Sequence, residues 1–98
     1  MRHRHSFHAD RAGHSVTVNI RSGWITETEL LVDGREIAFH REHGPGTLPR
    51  TLSGALPGRP DEPFRVRIDR PAAGSPALVC ELGPDGDTLP MVETTAAP

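Results

Sequence analysis

The chain reads as an all-β protein, a single antiparallel β-sandwich of seven to eight short strands, and three features carry that reading. Asp33-Gly34 and Asp85-Gly86 each sit between apolar alternations. A tight primed turn needs positive φ, which Gly supplies without steric cost, so each pair marks a hairpin. Val16, Val18 and Ile20 alternate with polar residues, as do Phe64, Val66 and Ile68, so each run lays one dry face against a core. No segment of useful length carries helical periodicity.

Taken in order, residues 4–9 form a first strand through Phe7, turned by Asp10-Arg11-Ala12-Gly13. A four-residue loop there sets Phe7 opposite Val16 and His14 opposite Ala9. Val16–Ile20 is the clearest strand, and Ser22-Gly23 breaks it. Trp24 opens the next segment, which runs into the Asp33-Gly34 hairpin and ends near Arg41. With Asp33-Gly34 as the loop, Val32 faces Arg35, Leu30 faces Ile37 and Thr28 faces Phe39. Leu30, Val32, Ile37 and Phe39 then share the buried face.

Thr47–Leu56 reads as a strand with Leu48, Leu52 and Leu56 inward, and Pro49 places it at an edge or bulge. Pro57, Gly58, Pro60 and Pro63 mark a loop before the Phe64–Ile68 strand, and Pro71 to Pro76 turns the chain again. Leu78, Cys80 and Leu82 form the next inward row, answered by Leu89 and Met91 across the second Asp-Gly turn. The domain spans residues 1–92, and 93–98 reads as a disordered Thr/Ala/Pro tail.

Composition bounds function from outside. A chain of 98 residues holds one domain, and 35% apolar content with no Tyr limits its core, so a dimer contact would add stability. The net charge of −2 calls for neither nucleic acid nor an anionic membrane. All eleven basic residues are Arg, a usage typical of GC-rich bacterial genomes. A lone cysteine cannot form an intrachain disulfide and fits a reducing cytoplasm. The Arg/His-rich start lacks a signal-peptide apolar core, and no apolar run is long enough for a membrane span.

One family shares a run of these signals. Asp10, Gly13-His14, Val16-Thr17-Val18, Ser22-Gly23 and Leu30 through Ile37 with its Val32-Asp33-Gly34-Arg35-Glu36 turn resemble the fas apoptotic inhibitory molecule family across residues 8–38. Leu78–Leu82 with Asp85-Gly86 is a fainter echo. The resemblance implies an antiparallel β-sandwich without an active site, acting through protein contacts. Its members restrain cell-death signalling and protect against aggregation. This chain departs from them in lacking their Lys- and aromatic-rich strands.

Candidate chemistry is sparse. Six histidines fall in the first forty-three residues, and His3 and His5 would share one strand face, as imidazole pairs do around Zn²⁺, Ni²⁺ or Cu²⁺. His3, His5, His8, His40 and His43 are therefore the candidate ligands of a small transition-metal-binding protein, the alternative reading. Solvated surface histidines are the plain one. Cys80 lies on the inward row and reads as a small hydrophobe. Arg65 and Arg67, with Arg70 and Arg21, form either a basic stripe or a charged face paired with Glu27, Glu29, Glu36 and Asp69. Without interleaved aromatics, the stripe does not resemble a single-strand nucleic-acid platform. Trp24 is either a plug between sheets or a contact anchor. The leading expectation is a non-enzymatic, cytoplasmic interaction module with no cofactor. It would take a protein partner or a second copy through a sheet face or edge, with Trp24, Arg65 and Arg67 as contact residues.

Overall fold

The computed structural model describes residues 3–43, 51–58, 61–69, 76–82 and 87–94. These form nine strands: β1 (His3–Arg11), β2 (His14–Ser22), β3 (Ile25–Val32), β4 (Arg35–His43), β5 (Thr51–Leu56), β6 (Glu62–Asp69), β7 (Ala77–Leu82), β8 (Asp87–Pro90) and β9 (Val92–Thr94). They make two antiparallel sheets, ordered β4-β3-β2-β1-β9 and β5-β6-β7-β8. The fold class is the all-β one that the alternation predicts. Leu48, Pro49, Arg70 and the Asp85-Gly86 turn lie outside the described residues.

The dry faces are those the spacing selects. Phe7, Ala9, Val16, Val18, Ile20, Leu30 and Val32 from the first sheet meet Leu52, Leu56, Phe64, Val66, Ile68, Leu78 and Cys80 from the second. Together they form one buried cluster, completed by Met91. Thr26 and Thr28 continue the inward row of β3 and are fully buried. Among the described residues the Thr28 hydroxyl has no hydrogen-bond partner. Burial raises the pKa of the Cys80 thiol, only partly offset by Arg11, so the sulfur is protonated and unreactive at neutral pH.

Three expectations need correction. The first hairpin closes with a two-residue loop, Ala12-Gly13, rather than four, so Arg11 faces His14 and Phe7 faces Val18. Ala12 and Gly13 adopt φ of 51° and 79°, and Asp33 and Gly34 adopt 52° and 80°, so the two turns share one primed geometry. The register slip is two residues, which leaves every side chain on its expected face.

The second correction does change faces. Val32 faces Arg35, but β4 carries an extra residue, so Leu31 faces Glu36 while Leu30 faces Ala38. Ile37 is the bulged residue. It leans toward β5, where a Cβ added to Gly54 would lie 2.5 Å from Ile37 Cδ1. From that point alternation runs one step out of phase: Ala38 packs on the core and Phe39 turns to solvent. Among the described residues β4 pairs only with β3, so no second neighbour holds its register.

The third correction concerns the C-terminal end. β8 pairs with β7 in one sheet, whereas β9 pairs with β1 in the other. Met91 is the crossing residue, buried and donating its N–H to the Leu78 carbonyl at 2.9 Å. Glu93 and Thr94, expected in the tail, face Phe7 and Ser6 in the ladder. This switch splits one expected strand into two and accounts for the ninth.

Candidate contact surface at the Trp24 end

β2 and β3 are joined by Gly23 and Trp24, and their last ladder pair is Arg21 with Glu27. Trp24 therefore projects beyond the sheet instead of entering it, and it is 93% exposed. That overturns the plug reading. Beside the ring is a depression of about 190 Å³ lined by Arg21, Ile25, Glu27 and Arg41, among others.

The outward residues of the first sheet fall into rows across the strands. Nearest Trp24 the row is Arg4, Arg21, Glu27 and Arg41, three guanidiniums against one carboxylate. Arg21 Nε lies 3.7 Å from Glu27 Oε1, an exposed pair that contributes little to stability. The next row is Ser6, Asn19, Glu29 and Phe39. The Ser6 hydroxyl donates to Asn19 Oδ1 at 2.7 Å, and Asn19 Nδ2 donates to Glu29 Oε1 at 3.1 Å. Asn19 is the main cause that lowers the Glu29 pKa, followed by a hydrogen bond from Glu36. Glu36 is shifted upward by the same Glu29 contact, so the two carboxyl groups favour sharing one proton. The surface thus runs from basic at the Trp24 end to acidic further along, with the Phe39 ring, 47% exposed, on its edge strand.

Arg65 and Arg67 lie elsewhere, on the outer face of the second sheet. Both reach Glu81, at 3.2 Å and 3.3 Å, and Arg67 also meets Asp69 at 3.5 Å. Glu81, missed in the sequence, faces Arg65 directly across β6 and β7. This is a neutralised charged face, and it does not adjoin the row beside Trp24.

Among the described side chains the histidines are dispersed. His5 and His40 share one inward row, but β2 and β3 separate them by three strand spacings, about 14 Å. His8 points outward, and His43 faces Ile25 at the far end of β4. Ring nitrogens meet carboxylates instead: His5 with Glu93 at 2.6 Å, His14 with Asp33 at 2.7 Å and His40 with Glu42 at 3.0 Å. Among the described residues no three His, Cys, Asp or Glu side chains converge.

One grouping had no signal in the spacing. The His8 ring lies between Asp10 Oδ1 at 3.1 Å and Ser15 Oγ at 3.5 Å, with Thr17 Oγ1 at 3.4 Å. The contact to Ser15 is too long to activate a hydroxyl, and the Ser15 N–H is spent on Asp33 Oδ1 at 2.9 Å. The group stands on an open sheet face. No family model matches the chain, and no curated protein or solved structure matches it.

Proposed function

We propose that the chain is a non-enzymatic interaction module that anchors a protein partner on Trp24. The observation that carries this reading is an indole almost wholly in water at the short connection between β2 and β3. A rigid aromatic loses little conformational entropy on binding, and desolvating it supplies much of the affinity of a small interface. Arg4, Arg21 and Arg41 beside it favour a partner segment that sets an apolar side chain next to Asp or Glu.

Panning a peptide library against the immobilised full chain tests it. The expected winners are acidic peptides carrying an apolar anchor, which shift Trp24 emission on titration. Trp24→Ala should weaken them by about 2 kcal/mol, roughly thirtyfold, while leaving the melting temperature unchanged. Winners that bind Trp24→Ala as tightly as the native chain, or no enrichment at all, overturn it.

A further inference from the structure

Among the described residues β4 forms an uncovered edge of the five-stranded sheet. β4 is nine residues long, against three for β9 at the opposite edge, and among the described residues its only ladder partner is β3. An edge of this length exposes a row of backbone donors and acceptors, which proteins normally block with charges or bulges. β4 has both. It also carries Ile37 and Phe39, two of the four exposed large hydrophobics among the described residues.

Its charges are arranged to attract a copy of itself. We infer that β4 is a homodimer interface, pairing antiparallel with β4 of a second copy about a two-fold axis through Phe39. This rests on the reading of the chain as a protein-contact module and names the partner of one of its surfaces. In that register Phe39 faces the same residue of the second copy, and Ala38 faces His40. Ile37 stays bulged out, as it is against β3. Glu36 then faces Arg41 and Arg35 faces Glu42, each pair occurring twice by symmetry.

The faces agree throughout, which a same-sheet pairing requires. Glu36 and Arg41 are both outward, aligned with Leu31 and Glu27, whereas Arg35 and Glu42 are both inward, aligned with Val32 and Thr26. The bulge makes this possible. Without the extra residue, Glu36 and Arg41 would fall on opposite faces, and the same axis would set Glu36 against Glu42, a like-charge pair. Arg35 and Arg41 enter no ion pair among the described residues, while Glu42 meets only His40. The charge pattern that would repel a foreign strand is therefore complementary to its own, and closure about a two-fold axis ends the assembly at two.

Sedimentation velocity on the full chain, from micromolar to near-millimolar concentration, reads the result directly. The native chain should dimerise. Arg41→Glu, an exposed substitution, should weaken the dimer on the order of tenfold or more, and Glu36→Arg added to it should restore association. Phe39→Cys should form an intermolecular disulfide readily under oxidation, and Val92→Cys on the opposite edge should not; the buried Cys80 stays silent in both. A native chain monomeric at every concentration, a dimer indifferent to Arg41→Glu, or crosslinking at position 92 in place of 39 would overturn the assignment. Arg41 also borders Trp24, so peptide binding is compared between the native chain and Trp24→Ala, and dimerisation is read without peptide; the two readings then fail separately.

Discussion

The hairpins β1–β2 and β3–β4 turn through the same pair of dihedral wells and then behave differently. In the first, the ladder runs without interruption from Arg11–His14 to His3–Ser22. In the second it slips by one residue at Leu30–Leu31, reversing the faces of everything beyond Ile37. The turn cannot be the cause, because φ at Ala12 and Asp33 differs by a single degree, 51° against 52°. The difference lies in the neighbours. β1 is held between β2 and β9, whereas β4 is an edge. A turn sets the first pair of a hairpin, and strands on both sides set the rest.

The largest expected effect separates the two sides of the second hairpin. Leu30→Ala on β3 should cost about 2–5 kcal/mol in chemical denaturation, since the side chain is fully buried. Phe39→Ala on β4 should cost under about 1 kcal/mol, because the ring packs on the outside. Equal costs would mean that the uninterrupted register is the true one.

An intermediate effect separates the two turns. Asp33 is anchored, accepting from the Ser15 N–H at 2.9 Å and meeting His14 Nδ1 at 2.7 Å. Ala12 holds the same left-handed conformation with a methyl group and no such contact, at a cost of about 1–2 kcal/mol. Ala12→Asn should therefore stabilise the chain by about 0.5–1 kcal/mol, read as a higher denaturation midpoint. The reverse experiment, Asp33→Asn, should destabilise it at neutral pH. The Asp33 pKa lies below its ordinary 3.8, chiefly through the Ser15 N–H and then His14. Its contribution is thus present above that value and disappears as pH falls through the folded pKa. Loss of that acid limb in Asp33→Asn is the check.

The smallest effect belongs to the outer carboxyl pair. Glu36 is shifted above its ordinary 4.5 by Glu29, so its contribution is full below 4.5 and disappears as pH rises through the folded pKa. Glu29 is shifted the other way, chiefly by Asn19. Glu36→Gln supplies a donor to Glu29 at every pH. At concentrations where the chain is monomeric, it should raise the neutral-pH melting temperature slightly and leave the acid value unchanged.

The inward rows were legible because alternation is a property of single strands. Val16, Val18, Ile20, Phe64, Val66, Ile68, Leu78 and Cys80 all fell where period two puts them. Pairing was legible only next to the Asp33-Gly34 turn, where Val32 faces Arg35. Nothing in Arg35–His43 announces a bulge, since Ile37 and Phe39 already keep an apolar alternation, so Phe39 was assigned to the wrong side. The site was half legible. Trp24 stands out as a residue type, but Arg41 joins it only through the β3–β4 ladder, and Arg65 and Arg67, offered Glu27, Glu29, Glu36 and Asp69 as partners, meet Glu81 from another strand, with Asp69 beside Arg67. The histidine cluster was a density in sequence that the sheet pulled apart.

Residues 87–94 are stitched first into one layer and then into the other at Met91, so one backbone crossing ties the two sheets. Tension applied at the C-terminal end would meet the three residues of β9 first and reach the second sheet only through Met91, so β9 should release before β8.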